Sequence, residues 1–272
     1  MPRVSFSSPS PVAAAILAAL LAVTAAPLPA AGATCSAKSG PQAVALLELY
    51  TSEGCNSCPP ADRWLSSTFP PGAAANVIAL AFHVDYWDRL GWKDRFAAPA
   101  WTERQYASMR ANRASFVYTP QLLLQGKDFE WRSAGAAAAL ATAAARPARA
   151  EIALEATPRP GAVSVAVSAR VPGSAERNGA KVLVALVDNG LVSEVKAGEN
   201  SGVRLAHDHV VRAMKTGIAL DANGDARAEV VLPLPAEAGK TPVVVAFVQN
   251  AATGDVLQAL ALPLAAACAP LR

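Results

Sequence analysis

The chain has 272 residues, of which 53% are hydrophobic and 17% are charged. That length suits one large domain or two ordinary ones, and either could bury a substantial core. Lys and Arg number 24 against 21 Asp and Glu, so the formal net charge is only +3. So small a charge gives no reason to expect nucleic acid or anionic lipid as a partner. The composition excludes an intrinsically disordered chain and a polytopic membrane protein.

The N-terminus has the pattern of an export signal. A single arginine precedes an apolar stretch over residues 12–26, and Ala-Gly-Ala at 31–33 fits an A-x-A cleavage site. The apolar stretch is too short to span a bilayer, and no later segment reaches the length of a transmembrane helix. We therefore predict a signal peptide over residues 1–33 and an exported mature chain, periplasmic or secreted, with no membrane span. A lipoprotein modified at Cys35 is the less favoured alternative.

Aromatic residues divide the chain in two. Of the 16, nine lie between Phe82 and Tyr118, and beyond residue 150 there is only Phe247. This change in composition predicts two domains, over residues 41–147 and 150–268.

Hydrophobic periodicity and turn signals predict the order β-α-β-α-β-β-α in the first domain and only strands in the second. The strands of the first domain are predicted at 43–50, 77–85, 121–125 and 129–132, and its helices at 59–65, 99–113 and 134–145, the last capped by Ser133. The strands of the second domain are predicted at 151–156, 162–171, 181–188, 203–219, 227–232, 243–250 and 256–264. Their number and spacing suggest a β-sandwich-like all-β domain.

The chain contains four cysteines, Cys35, Cys55, Cys58 and Cys268, and export favours disulfides among them. Cys55 and Cys58 form a C-x-x-C motif and would pair locally, which leaves Cys35 with Cys268. A bridge between the latter two would close nearly the whole mature chain, a constraint worth up to ~5 kcal/mol on chain-entropy grounds. We interpret this pair as a structural disulfide. Two free thiols, or a bridge to another chain, are the alternatives.

The C-x-x-C motif lies between a predicted buried strand and a predicted helix. The start of a helix carries positive partial charge and unpaired N–H groups, which favour a thiolate at Cys55. Cys55 is therefore predicted to be the attacking sulfur and Cys58 the resolving one, although metal sites use the same spacing. Glu48, on the preceding strand, could accept the proton of the resolving thiol, or it is an ordinary polar residue at the strand end.

Thr119 and Pro120 precede the third predicted strand of the first domain. Thioredoxin-like folds place a cis-proline at this point, where it faces the disulfide and its neighbours pair with an extended substrate. We therefore assign Pro120 to the catalytic site and Thr119 to substrate binding. A trans proline that opens an edge strand is the alternative.

The loop after the second strand is rich in aromatic and polar side chains and should emerge at the same edge as the C-x-x-C. Tyr86, Trp87 and Trp92 could line a groove for a partner, while His83 or Asp85 could assist proton transfer. Equally, the aromatic side chains could cover the domain interface, with His83 as a hydrogen-bonded structural residue.

Several stretches carry longer motifs. They are TSEGCNSCPPAD at 51–62, AFHVDYWDRLGWKDRFAAP at 81–99, VYTPQ at 117–121, ENSG at 199–202, and Leu205, His207 and VVR at 210–212. Together they resemble a bacterial exported family catalogued only as a domain of unknown function, whose members are described as secreted, thioredoxin-like proteins. The resemblance implies a thioredoxin-like domain with a β-rich C-terminal part and brings no established activity. Glu53 and Asn56 depart from the family pattern, which has Gln and Ser there.

The sequence thus predicts an exported thiol–disulfide oxidoreductase that exchanges with protein thiols or disulfides and with an unidentified redox partner. We expect no cofactor and no metal, and the oligomeric state stays open. The alternatives are a copper-binding protein that uses Cys55, Cys58 and His83, and an interaction module whose C-x-x-C is a structural disulfide. The two histidines at 207 and 209 have a spacing that can bind metal, but with no third ligand evident we interpret them as part of a solvent-facing strand.

Overall fold

The computed structural model describes residues 1–5, 34–73, 76–235, 237 and 242–264. Residues 6–33 of the predicted signal peptide, and Cys268, lie outside the described residues, so signal cleavage and the bridge from Cys35 stay predictions. The described helices are α1 (Pro59–Thr68), α2 (Pro99–Ala111), α3 (Ala136–Ala144) and α4 (Ser174–Arg177), with a 3₁₀ turn at Asp88–Leu90. No helix in this part of the chain combines the length and the apolarity needed to span a membrane.

The described strands make the protein mostly β. They are β1 (Cys35–Lys38), β2 (Ala45–Thr51), β3 (Val77–His83), β4 (Gln121–Leu124), β5 (Lys127–Asp128), β6 (Glu151–Arg159), β7 (Ala162–Arg170), β8 (Ala180–Asp188), β9 (Leu191–Glu194), β10 (Arg204–His207), β11 (Val210–Ala219), β12 (Asp225–Pro233), β13 (Val243–Asn250) and β14 (Val256–Pro263). From β2 to α3 the order is β-α-β-α-β-β-α, as predicted.

Four details of the predicted elements are wrong. The second part, predicted to contain only strands, also has the short helix α4 between β7 and β8. The second strand of the β4–β5 hairpin is at Lys127–Asp128 rather than 129–132, because the chain turns at Gln125 and Gly126, which both have positive φ. The N-cap of α3 is Gly135 instead of Ser133, and no side chain caps that helix. The strand predicted at 203–219 is two strands, because His209 adopts a φ of 60° and interrupts the extended backbone.

The described strands form three sheets. The largest has eight strands in the order β14-β13-β8-β11-β3-β2-β4-β5, and it takes strands from both predicted domains. The two parts of the chain meet where β3 and β11 pair in parallel at one position, Ala81 opposite Val210. A four-stranded antiparallel sheet, β1-β6-β7-β12, and the β9–β10 hairpin complete the arrangement. The described residues from Thr34 onward cluster into one compact unit, and an independent fold for each predicted domain stays a prediction.

Packing on both faces of β2 places its C-terminal end where the C-x-x-C begins. Alternate side chains of a strand point to opposite faces, so Leu47 and Leu49 pack against α1 while Leu46 and Tyr50 pack against Trp101 of α2. An uninterrupted apolar run is typical of a strand buried in this way. In the other part of the molecule, the four-stranded sheet packs on β8, β13 and β14 through a core of Val, Leu and Ala side chains.

Candidate functional site

The turn between β2 and α1 carries the C-x-x-C motif. Within it, the Gly54 N–H donates to Ser52 Oγ at 3.1 Å and the Cys55 N–H donates to the Ser52 carbonyl at 3.2 Å. Cys58 is the N-cap of α1, and Pro59 follows at a position where the missing backbone N–H costs no hydrogen bond. Cys55 and Cys58 form a disulfide and are both buried, whereas the two residues between them are exposed.

Two hydroxyl groups contact the sulfur of Cys55. Ser57 Oγ lies 3.3 Å and Thr119 Oγ1 lies 3.4 Å from Cys55 Sγ, and both are donors because a disulfide sulfur carries no hydrogen. Thr119 Oγ1 in turn accepts the Trp87 Nε1–H at 2.8 Å. The peptide bond from Thr119 to Pro120 is cis, as predicted, and the Thr119 carbonyl oxygen lies 4.0 Å from Cys55 Sγ. Donors of this kind favour a thiolate over a thiol once the disulfide is reduced.

Two cavities border the segment that leads to the cis peptide bond. One, of about 430 Å³, lies beside Tyr86 and Trp87, and the other, of about 210 Å³, lies beside Ser57. Tyr118 and Thr119 line both cavities. Thr119, which lines both cavities, and Ser57, which lines the smaller one, are also the residues whose hydroxyl groups contact Cys55 Sγ.

Behind the turn lies a group of buried charged side chains, Glu53, His83, Asp94 and His207, which we call the histidine cluster. His83 Nδ1 lies 2.7 Å from Asp94 Oδ2, which also accepts the Glu53 backbone N–H at 2.9 Å. His207 Nε2 lies 3.2 Å from Glu53 Oε1, and the Trp92 Nε1–H donates to Glu53 Oε2 at 2.7 Å. The two imidazole rings are 4.9 Å apart. The cluster thus holds the residue two positions before Cys55 by both its backbone and its side chain.

Burial and neighbouring charge act against each other on the pKa values of this cluster. Burial alone would lower the pKa of His83, but the Asp94 carboxylate outweighs it and raises that pKa above its ordinary value. Burial alone would raise the pKa of Asp94, but the charge of His83 brings it below its ordinary value. Burial acts in the same way on Glu53, whose pKa is nevertheless lowered by the close contact of its carboxylate with His207. Burial raises the pKa of Asp62, which lies one turn after Cys58 on α1. The contact between His83 and Asp94 therefore favours the charged form of each partner.

The second part of the chain reaches the same turn through residues 195–203 between β9 and β10, here called the Asn200 loop. Asn200 is buried, and its Nδ2 donates to the carbonyl oxygens of Glu53 at 2.8 Å and Cys55 at 3.0 Å. Glu199 Oε2 accepts the Asn56 N–H at 3.1 Å. Sequence reasoning assigns neither Asn200 nor Glu199 a role, although both lie in one of the family motifs, because it does not show that residues so far apart meet.

The residues that build this site fall within one family model. Residues 46–249 match the family described as "Protein of unknown function (DUF1223)". The chain belongs to the DUF1223 family. The resemblance carried by the motifs is therefore confirmed at the level of the family. None of the curated proteins matches the chain.

Two solved structures are similar to this DUF1223 chain. Protein AGR_C_4864 from Agrobacterium tumefaciens, known from an X-ray crystal structure, is 27% identical to this chain, and the TM-score is 0.55. The match covers 82% of this chain and 96% of that one. HBP35 of Porphyromonas gingivalis is 16% identical to this chain, and the TM-score is 0.62. The match covers 86% of this chain and 79% of that one. Because HBP35 is only 16% identical to this chain, its similarity concerns the fold alone.

Glu48 and Asp85, which the sequence predicts to assist proton transfer in this DUF1223 protein, hydrogen-bond to residues of α2 instead of to the cysteines. Glu48 points to the face of the sheet opposite α1, where it accepts the Arg104 Nε–H at 2.7 Å. Asp85 accepts the Thr102 hydroxyl of α2 at 2.5 Å. Within the described ranges neither carboxylate hydrogen-bonds to a cysteine, so their part in proton transfer stays a prediction.

The expected solvent-facing strand around residues 207–209 is wrong. His207 is only 3% exposed and belongs to the histidine cluster, while His209 Nε2 lies 2.7 Å from the Phe69 carbonyl oxygen. The positive φ of His209 directs the two rings to different neighbours. Among the residues that the structure describes, no group of three or more His, Cys, Asp or Glu is arranged to hold a metal ion. His83, the third ligand of the copper-binding alternative, has its Nδ1 engaged by Asp94, while its Nε2 has no hydrogen-bond partner among the described residues.

Proposed function

We propose that this protein is an exported thiol–disulfide oxidoreductase that acts on protein thiols or disulfides. The observation that carries the proposal is the environment of Cys55 Sγ, which lies at the start of α1 within reach of the Ser57 and Thr119 hydroxyls. Both features favour a thiolate, the reactive form of cysteine. The two adjoining cavities, both lined by Tyr118 and Thr119, would receive side chains of an extended substrate segment.

The exchange would proceed through a mixed disulfide on Cys55. In the oxidised protein, a substrate thiolate attacks Cys55 Sγ and breaks its bond to Cys58, which leaves as a thiolate and takes up a proton. A second substrate thiolate then attacks the substrate sulfur of the mixed disulfide and releases the Cys55 thiolate. The substrate gains a disulfide, and the protein becomes a dithiol that its redox partner must reoxidise. In the reverse direction, Cys55 attacks a substrate disulfide and Cys58 resolves the intermediate.

The finer assignments of fold and location belong to the same proposal. The order β2-α1-β3-α2-β4-β5-α3, with a cis-proline before β4, supports a thioredoxin-like domain. The two sheets that share a Val- and Leu-rich core support a β-sandwich-like second domain. The disulfide and the pattern of the N-terminus support export to an oxidising compartment, either the periplasm or the exterior.

A permanent structural disulfide in an interaction module is the second candidate, and one observation favours it. Cys55 and Cys58 are each 0% exposed, whereas an exchanging disulfide must be reached by a thiolate. Exchange therefore requires that side chains over the disulfide move when a substrate binds, such as Thr119, whose hydroxyl lies 3.4 Å from Cys55 Sγ.

Equilibration of the purified protein with glutathione buffers separates the two candidates. A reduction potential above roughly −300 mV indicates an exchange-competent disulfide, and a lower potential indicates a structural one. If the protein exchanges, Cys55→Ser abolishes insulin reduction and refolding-oxidase activity, and Cys58→Ser accumulates a mixed disulfide because the resolving thiol is missing. The double variant is the matched control and should trap no substrate. Full activity in Cys55→Ser would contradict the proposal.

A further inference from the structure

The Asn200 loop holds the main chain of the C-x-x-C turn from a part of the sequence that the exchange steps do not use. The two protons of one buried amide go to the carbonyl oxygens of Glu53 and Cys55, on either side of Gly54. A movement of this turn would break both hydrogen bonds together. A buried polar group without a partner is costly, so the two hydrogen bonds hold the main chain on either side of Gly54, including that of Cys55, in one orientation.

The Asn200 loop is itself held in one shape. The Gly202 N–H donates to the Val195 carbonyl at 2.9 Å, and the Val203 N–H donates to the Asn200 carbonyl at 3.0 Å. Gly198 has a φ of 72°, and a Cβ added there would lie 3.3 Å from Cβ of the tryptophan that hydrogen-bonds Glu53. The loop therefore rests directly on the turn as an internally hydrogen-bonded unit.

Glu199 brings a negative charge to the same turn. Its carboxylate accepts the N–H of Asn56, the residue next to Cys55. A carboxylate at this place repels a thiolate on Cys55, and it occupies an N–H group that the thiolate could otherwise use. Both effects disfavour the reduced form of the protein, since only reduction creates a thiolate there. Glu199 is exposed, so salt should screen the repulsion.

We propose that the Asn200 loop is a positioning element of the redox site, in which Asn200 fixes the main chain around Cys55 and Glu199 makes the disulfide harder to reduce. The inference rests on the proposed exchange function and gives the β-rich second part of the chain a role in the chemistry of the first. Neither side chain touches a reacting sulfur, so both act through the turn.

Glutathione equilibria of the full-length protein test the charge of Glu199. Glu199→Gln should shift the equilibrium toward the reduced form about threefold at low salt, and the shift should fade at about 1 M salt. The matched control is Glu194→Gln, which removes an exposed carboxylate of the same hairpin that lies 3.2 Å from Arg204 instead. That control should keep the wild-type equilibrium. Equal shifts in the two variants, or no shift in Glu199→Gln, would overturn the role of this charge.

Amide hydrogen exchange in the oxidised protein tests Asn200. Asn200→Ala removes both donors, so the N–H groups of residues 54–56 should exchange about tenfold faster, while those of β13 keep their protection. If that variant does not fold, Glu199→Ala provides the second measurement, because the N–H of Asn56 loses its acceptor. Unchanged exchange at residues 54–56 overturns the positioning role. A disulfide that resists every glutathione buffer would contradict the proposed function and the effect of Glu199, while the exchange rates would still decide the role of Asn200.

Discussion

Two buried charge clusters lie next to β2, and they differ in kind. On the face of α2, Arg104 pairs with Glu48 at 2.7 Å and reaches Gln249 of β13 at 3.1 Å. At the C-terminal end of the strand, the histidine cluster combines two imidazoles with two carboxylates. The charge of an arginine cannot be lost in a protein, whereas a histidine can gain or lose its proton near neutral pH.

The difference indicates where this fold keeps charge constant and where it allows charge to vary. Arg104 lies over the rings of Phe82 and Phe247, 5.3 Å from each centroid, so its charge is part of the packing between α2 and the sheet. The histidine cluster instead holds Glu53, two residues before Cys55. A change of protonation in that cluster would act on the turn that carries the disulfide.

The largest expected effect comes from removing the arginine. Arg104→Met leaves Glu48 buried without its charged partner, and we expect the free energy of unfolding to fall by about 3–5 kcal/mol. Urea denaturation measures this loss, and Arg104→Met combined with Glu48→Gln should recover much of it, because the unpaired charge is gone. The reduction potential should not change. If Arg104→Met alone were as stable as the wild type, the charge of Arg104 would not be part of the packing.

A smaller loss is expected when the histidine cluster loses a carboxylate. Asp94→Asn should lower the free energy of unfolding by roughly 1–3 kcal/mol, because His83 can release its proton and so avoid an unpaired buried charge. The same urea assay at pH 7 measures it. A loss as large as that of Arg104→Met would remove the distinction between the two clusters.

The smallest effect concerns the pH dependence of stability. The pKa of His83 is raised in the folded protein, so its contribution is complete below the unfolded value of about 6.5 and is lost as the pH rises through the folded pKa. The free energy of unfolding should therefore decrease above about pH 6.5, by at most about 1.4 kcal/mol per pH unit. Asp94 and Glu53, whose pKa values are lowered, lose their contributions only when the pH falls through those values.

Variants of each cluster assign that alkaline decrease to His83. Asp94→Asn should flatten it, because the charge that raises the pKa of His83 is gone. The double variant Arg104→Met with Glu48→Gln should keep the wild-type slope, because it removes both charges of that pair and leaves the histidine cluster unchanged. Asp62, whose pKa is raised by burial, is present in the wild type and in both variants. A wild-type slope in Asp94→Asn would contradict the assignment.

Local signals in the sequence predict the parts of the site that are close along the chain. The apolar run of β2, the C-x-x-C with its prolines and the Thr-Pro step place Cys55, Cys58 and Pro120 correctly in the order of elements. The supports of the turn escape such reasoning, because Asn200 is 147 positions from Glu53 in sequence. Periodicity likewise does not detect the positive φ of His209, which depends on its place between two strands. Only the contacts of Glu53 show that it occupies the centre of the histidine cluster.

The short pairing between β3 and β11 has a consequence for shortened versions of this protein. β3 pairs with β2 along all of its seven residues, but it meets β11 at one position only. Side chains such as Phe82 and Val187 therefore hold the two parts together. A protein cut after residue 147 would expose one edge of β3 and the apolar surface beside it, and bare strand edges recruit other strands. A shortened protein that keeps the C-x-x-C would therefore need a redesigned, charged edge on β3 to stay monomeric.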